Sequence, residues 1–292
     1  MIPFALRKLY VDVVDEQDTV WIFYFVDLGS LFFRQRLAGV EKYPRSGKPL
    51  FRRVSATPVW PDEPKHNEPF YFRMDLAEGP VEFSGIPLHP PWIPAGAPLP
   101  LPINWHVVAP RLAVTLRCPD SSRPLSGVGY ADFVNLRRLP RSLGLRHLRW
   151  GRAHGREETF AFTSVVPQQG RPWQRAALWR GEGAPLEWDR FSIEERSDGM
   201  ILQTTDASRQ AAHCFSLGNE RVLRQGDTMD SGRFPHAGER FVYRLIMGPA
   251  AESRWAGSAQ LDGGELSIHE GALHESVDFG PAKHLATHPS HT

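Results

Sequence analysis

The feature that most constrains the fold is a period of two in the apolar residues, interrupted by short turns, along most of the chain. Residues 9–14 and 20–26 are two such segments, and Asp15-Glu16-Gln17-Asp18 between them favours a turn. Asp198-Gly199 and Asp262-Gly263 each separate two alternating segments, which is typical of tight hairpins. No long stretch has the 3.6-residue apolar spacing of an amphipathic helix. We therefore predict an all-β fold of antiparallel strands arranged as barrels or sandwiches.

Residues 20–26 are apolar on both faces of their predicted strand. Successive side chains of a strand point to opposite faces, so Trp21, Phe23 and Phe25 share one face and Val20, Ile22, Tyr24 and Val26 share the other. This pattern is typical of a central strand or of a strand that lies between two packed layers.

A proline-rich stretch lies between Ile86 and Ile103, and its seven prolines exclude a central strand because they remove backbone donors. Its apolar residues, among them Trp92, would be unusual in a solvated linker. The stretch is therefore either a stiff flap over an opening or a loop that crosses a barrel.

Pro and Gly interrupt the strand pattern again at residues 167–185, which predicts a boundary between two β domains. We expect an N-terminal β-barrel domain over residues 1–182 and a C-terminal one over residues 183–280. Residues 281–292 are small and polar and predict a flexible tail.

The charge balance and the apolar runs exclude several classes of partner. A net charge of +1 without a concentrated basic face gives no reason to expect nucleic acid or an anionic membrane surface. The longest apolar run, residues 20–26, is about a third of the ~20 residues that a membrane-spanning helix needs, so no stable membrane insertion is expected. The N-terminus lacks the apolar region of a signal peptide, and Cys118 and Cys214 are too few for a disulfide framework. We predict a cytoplasmic protein with reduced thiols, whose oligomeric state the sequence leaves open.

Two predicted strands carry most of the functional side chains. In Gly127-Val128-Gly129-Tyr130-Ala131-Asp132, the phenol and the carboxyl group share one face. In the second strand Trp150, Arg152 and His154 share a face, whereas the alternate positions are Gly or Ala. Large functional groups on one face and almost nothing on the other predict a cavity in front of the strands and a crowded wall behind them.

These segments, together with residues 8–14, Asn104-Trp105-His106 and Pro110-Arg111, resemble the carotenoid 1,2-hydratase (hydroxyneurosporene synthase) superfamily. That superfamily includes lipocalin-like Diels–Alderases, and the resemblance implies two lipocalin-like antiparallel β-barrels. It covers about the first half of the chain. The second half matches mainly in its strand character.

The resemblance also implies an acid site that protonates an isoprenoid double bond, with Tyr130 and Asp132 assisted by an upstream pair, Trp105 and His106. The hydratases place His before Trp with one residue between them, whereas Trp105 directly precedes His106 here. Adjacent strand residues face opposite ways, so only one of the two can point into the cavity.

Each of these residues also has a structural interpretation. Asp132 is either an acid kept neutral by desolvation or the buried ion-pair partner of Arg152, which would keep the carboxylate charged if the two strands were antiparallel neighbours. Tyr130 and His106 either assist catalysis or pack in the core. Trp105 and Trp150 either stabilise a cation through their rings or line an apolar pocket.

Other classes of site have little support. The spacing of His269 and His274 is five residues, not the four of a zinc-binding helix, so no metal is expected. A Gly-x-Ser-x-Gly nucleophile motif is absent from the sequence. Gly127 and Gly129 lack the third glycine of a dinucleotide site and are better explained by close backbone approach or by a bulge.

Two functional hypotheses follow. The first is a cofactor-independent enzyme that acts on a lipophilic, isoprenoid or polyketide-like substrate by acid-assisted hydration, isomerisation or cyclisation. Asp132 is then the catalytic acid, Tyr130 and His106 assist it, and Trp105, Trp150 and Arg152 shape the substrate site, in the first barrel or between the two. The second hypothesis is a carrier or sensor that binds a lipophilic molecule without changing it.

Overall fold

The computed structural model describes residues 4–30, 34–54, 60–62, 65, 67–94, 103–181, 183–204, 213–228, 240, 244, 248–262 and 267–279. The predicted tail over residues 281–292 and the glycine of the Asp262-Gly263 turn lie outside the described residues. No helical segment within the described ranges has the length and apolar character to cross a membrane.

The first eight strands pair into one antiparallel sheet. They are β1 (Phe4–Asp15), β2 (Val20–Ser30), β3 (Arg34–Tyr43), β4 (Leu50–Arg53), β5 (Phe70–Leu76), β6 (Gly79–Pro87), β7 (Ile103–Arg117) and β8 (Leu125–Leu136). Their order in the sheet is β4-β3-β2-β1-β8-β7-β6-β5. The first strand along the chain, β1, therefore pairs with the eighth, β8.

The remaining strands pair into a second antiparallel sheet. They are β9 (Leu145–His154), β10 (Glu158–Pro167), β11 (Trp173–Arg180), β12 (Leu186–Trp188), β13 (Phe191–Arg196), β14 (Gly199–Thr204), β15 (His213–Gly218), β16 (Arg221–Asp227), β17 (Ala250–Asp262) and β18 (Ser267–Phe279). The order is β12-β11-β10-β9-β18-β17-β15-β14-β13, and β16 pairs with residues 251–256 of β17.

Each sheet curls into a nearly closed barrel around its own apolar core, which confirms the predicted fold class. The core of the first barrel contains a group of aromatic rings in which Phe72 and Phe83 stack at 4.5 Å. The core of the second barrel contains Phe160 stacked on Phe215 at 3.8 Å. A third apolar cluster, which includes Ile22, Trp105 and Trp179, joins the outer surfaces of the two barrels.

The boundary between the two sheets differs from the predicted one at residue 182. A single 3₁₀ turn, Pro140–Leu143, follows β8, and Gly144 with φ 59° then directs the chain into β9. Strands β9 to β11 therefore belong to the second sheet. The Pro and Gly residues of 167–185 mark hairpin turns within that sheet, and turn composition does not distinguish such turns from a linker between domains.

Several local predictions are confirmed. The hairpins around residues 15–18 and Asp198-Gly199 form as expected. Strand β2 is a central strand, and it also lies between two layers, because Phe23 faces the barrel core while Ile22 faces the second barrel. A side chain at Gly129 would place its Cβ 2.6 Å from the carbonyl oxygen of Asp12, which confirms a close backbone approach at this position.

Part of the proline-rich stretch packs between the barrels. Trp92 is buried and exchanges two backbone hydrogen bonds with Val107, of 2.7 and 2.9 Å. Its indole ring makes edge-on contacts with Trp105 and Trp179. Residues 95–102 lie outside the described ranges, so the choice between a flap and a crossing loop stays a prediction.

Candidate active site between the barrels

The predicted site forms where the outer face of the first sheet meets the second sheet. Strands β1, β7 and β8 are adjacent in the first sheet and present Tyr10, Trp105, Tyr130 and Asp132 towards the second barrel. Trp150 on β9 meets them from the opposite side. The β7 and β8 register places Trp105 opposite Val134, two residues from Asp132, so the indole reaches the carboxyl group diagonally.

Asp132 is a buried carboxyl group held by two neutral donors. Its Oδ2 accepts hydrogen bonds from Trp105 Nε1 at 3.1 Å and from the Tyr130 hydroxyl at 3.2 Å. Burial raises the pKa of Asp132 to about 6, although both hydrogen bonds and the charge of Lys8 act to lower it. Asp132 can therefore exchange a proton near neutral pH.

Tyr130 is held as a neutral hydrogen-bond donor. It is fully buried, and this burial, together with the neighbouring carboxylates, raises the pKa of its hydroxyl well above the usual value. The ring stacks on Trp150 at 6.2 Å, and Trp150 in turn meets the Tyr10 ring edge-on at 4.9 Å. This packing fixes the position from which Tyr130 donates to Asp132.

Arg152 does not pair with Asp132, which corrects one of the two interpretations made from the sequence. Strands β8 and β9 lie in different sheets and are not neighbours, and Arg152 instead pairs with Asp12 on β1. Its Nε donates to Asp12 Oδ1 at 2.9 Å, and its guanidinium also donates to the carbonyl of Gly271. Among the residues that the structure describes, Asp132 therefore has no arginine partner that would hold its pKa down.

His106 does not join the other predicted residues. It faces the opposite side of β7 from Trp105, and its ring lies 5.2 Å from Phe133, which belongs to the core of the first barrel. The sequence rule that only one of Trp105 and His106 can face the site is thus confirmed, with Trp105 as that residue. The geometry gives no support to His106 as an assistant of Asp132.

A second polar cluster was missed by the sequence analysis. Arg254 on β17 binds Glu41 Oε2 at 2.7 Å, Glu252 Oε1 at 2.8 Å and Glu275 Oε2 at 2.7 Å. Burial lowers the pKa of Arg254, but the three carboxylates outweigh this and raise it well above its usual value. The available signal was the charged pair Glu252 and Arg254, which are two residues apart and therefore share one face of their strand, between small side chains.

A cavity of about 330 Å³ lies beside these groups, between the two barrels. This volume is at the lower end of the roughly 300–1,000 Å³ typical of ligand sites. Most of its wall is apolar and includes Leu6, Leu136, Leu145 and the side chains of Trp105 and Trp173. The polar lining includes Lys8, Glu252, Arg254 and Glu275.

Trp105 connects the cavity with the buried acid. Its ring lines the cavity while its Nε1 binds Asp132, and the described lining includes neither Asp132 nor Tyr130. Arg152 and Trp150 are also outside that lining, and their contacts hold Asp12, Tyr10 and Tyr130 instead. No group of three metal-binding side chains occurs among the described residues.

Comparison with known proteins identifies similar folds. No family model and no curated protein sequence matches the chain. The structure of CghA with Sch210972 is similar over 95% of this chain and 89% of its own, with a TM-score of 0.62 and 14% sequence identity. An AttH candidate from Nitrosomonas europaea has a TM-score of 0.60 and 12% identity, over 94% of this chain and 92% of its own.

Kievitone hydratase from Nectria haematococca is also similar, with a TM-score of 0.53 and 8% identity over 94% of this chain and 89% of its own. At these identities the likeness concerns the fold. It confirms the two-barrel architecture that the resemblance implied.

Proposed function

We propose that this two-barrel protein is a cofactor-independent enzyme that acts on a lipophilic, isoprenoid or polyketide-like substrate by acid-assisted hydration, isomerisation or cyclisation. The observation that carries the proposal is Asp132, a buried carboxyl group whose pKa is raised to about 6 and which has no arginine partner in the described part of the chain. A general acid works best when its pKa lies near the working pH. Trp105 joins this acid to an apolar cavity.

In the proposed mechanism the apolar walls bind the substrate by burying its surface, and the few polar groups orient it. Tyr130 and Trp105 hold the Asp132 carboxyl group and stabilise its charged form after the proton has left. A rotation of the Trp105 indole would expose Asp132 to the substrate and break the hydrogen bond between Trp105 and Asp132, and the return of the indole would restore it. The polar cluster around Arg254 forms a fixed wall of the site.

The similar folds support this proposal. One of them is named as a hydratase, and another was determined with the small molecule Sch210972. We further propose a cytoplasmic location, because Cys118 and Cys214 are not joined by a disulfide bond. The carotenoid chemistry implied by the sequence resemblance is one member of the proposed substrate class.

The test is to incubate the purified protein with a solvent extract of its native host and to analyse the products by chromatography with mass detection. A product isobaric with a consumed compound indicates isomerisation or cyclisation, and a product heavier by one water indicates hydration. Asp132→Asn should abolish turnover while preserving the fold, and Asp189→Asn, at an exposed position, is the matched control. Full turnover by Asp132→Asn would refute the proposal.

The pH dependence provides a second test. Only protonated Asp132 can donate a proton, so turnover should fall as the pH rises through about 6, by up to tenfold per pH unit above it.

The competing function is a carrier, which the position of Asp132 behind Trp105 favours. A compound that the protein retains unchanged, with no product at any pH, would establish the carrier.

A further inference from the structure

Lys8 places an amino group in the wall of the cavity. Leu6, Lys8 and Tyr10 are every second residue of β1 and therefore share a face, and all three line the cavity. The strand partners of Lys8 are Val26 on β2 and Val134 on β8, which line the cavity too. Lys8 is thus a cationic side chain flanked by apolar groups.

Lys8 differs from Arg152 and Arg254 in having no carboxylate partner among the described residues. Arg152 is paired with Asp12, and Arg254 is surrounded by three glutamates. Among the described residues no carboxylate lies within ion-pair distance of Lys8, whose Nζ lies 5.5 Å from the centre of the Tyr10 ring.

Lys8 interacts electrostatically with Asp132, the acid of the site. The ammonium group lowers the pKa of Asp132 through space, so the two groups are close enough to interact. In the protonated form that the mechanism requires, Asp132 no longer offers a negative charge to Lys8. An anionic ligand in the cavity would then supply it.

We infer that Lys8 determines substrate specificity by binding a carboxylate, an enolate or another oxygen anion carried by a lipophilic molecule. The inference rests on the proposed function for the role of the cavity, and it restricts the substrate class. A fixed cation beside the reacting groups repels a developing carbocation and stabilises a developing negative charge on oxygen. Substrates with an acidic or conjugated carbonyl group are therefore favoured over isolated alkenes.

Binding can be measured without knowing the natural substrate. N-phenyl-1-naphthylamine, an uncharged apolar fluorophore, serves as the reporter, and its displacement by decanoate, decan-1-ol and decylamine compares three head groups on one chain. The proteins are the wild type, Lys8→Met, Lys8→Arg and the control Lys48→Met, at an exposed position. Thermal melting of each variant checks its fold.

The wild type should bind decanoate about tenfold or more tightly than decan-1-ol, because a charge-assisted hydrogen bond replaces a neutral one. Lys8→Met should lose this preference without losing decan-1-ol binding, whereas Lys8→Arg and Lys48→Met should keep it. If Lys8→Met melts at a lower temperature than the wild type, two other variants test the inference. Lys8→Arg should keep the preference for decanoate, and Lys8→Glu should prefer decylamine.

An unchanged decanoate preference in a folded Lys8→Met variant would overturn the inference alone. Equal binding of all three head groups by the wild type would do the same. Failure of the wild type to bind the fluorophore or any decyl compound would overturn the proposed function as well. A decanoate preference without any turnover of the host extract would support the role of Lys8 and refute the enzyme.

Discussion

Replacement of Arg152 by Met tests which carboxylate that arginine holds. Asp12 and Arg152 are both completely buried, and Arg152 also donates to the carbonyl of Gly271. The methionine is of similar length but has no charge, so it leaves Asp12 as a buried carboxylate without its partner. The prediction concerns the free energy of unfolding and does not require a known substrate.

The loss of a single partner from a buried ion pair costs about 3–5 kcal/mol. With a urea slope of about 2–3 kcal/mol/M, a loss of about 4 kcal/mol moves the unfolding midpoint down by roughly 1–2 M. Replacing Asp12 by Asn in the same protein removes the uncompensated charge. The double variant Asp12→Asn/Arg152→Met should therefore recover a large part of the loss.

The assay is urea unfolding followed by tryptophan fluorescence and by circular dichroism, on the wild type, the single variants and the double variants. The matched control is Asp132→Asn/Arg152→Met. Asp132 accepts its hydrogen bonds from Trp105 and Tyr130, so this double variant should remain as unstable as Arg152→Met or become less stable. Recovery in the Asp132 double variant and none in the Asp12 one would refute the assignment of the pair.

Three further predictions concern single positions near the site. In Trp105→Phe the carboxyl of Asp132 loses a hydrogen bond that lowers its pKa, so the fall of turnover with rising pH should move to higher pH; an unchanged pH profile would contradict this. His106→Gln should leave that profile where it is, as steady-state rates from pH 5 to 8 would show, because His106 faces the core of the first barrel. Gly129→Ala should destabilise the protein by about 1–3 kcal/mol in urea unfolding, since its Cβ would lie 2.6 Å from the Asp12 carbonyl oxygen, whereas Gly183→Ala, which meets nothing within 4 Å, should have little effect.

The alternation of side chains along strands predicts which residues share a face, and it does so at the site. Tyr130 and Asp132 face the same way, and they hydrogen-bond to each other. Trp105 faces the site and its neighbour His106 does not. Which residues share a face follows from the geometry of a single strand, because successive side chains point to opposite faces.

The partners of these residues follow a different rule, because they depend on strand order. Asp12 and Arg152 are 140 positions apart, and Glu41 and Arg254 are 213 apart. Neither distance leaves a local pattern in the sequence. The predicted pair of Asp132 and Arg152 was wrong because it assumed that two consecutive strands of the chain are neighbours in one sheet.

The sequence by itself determined the fold class, the turns and the faces of the strands, since each depends on residues a few positions apart. The tertiary structure alone decided that the chain divides at residues 137–144, that the cavity lies between two barrels, and which charges are compensated. The raised pKa of Asp132 depends on its burial, and Lys8 has no carboxylate partner among the described residues because of the surroundings that the packed sheets give it. Burial and pairing are set by surfaces that meet only when the two sheets pack.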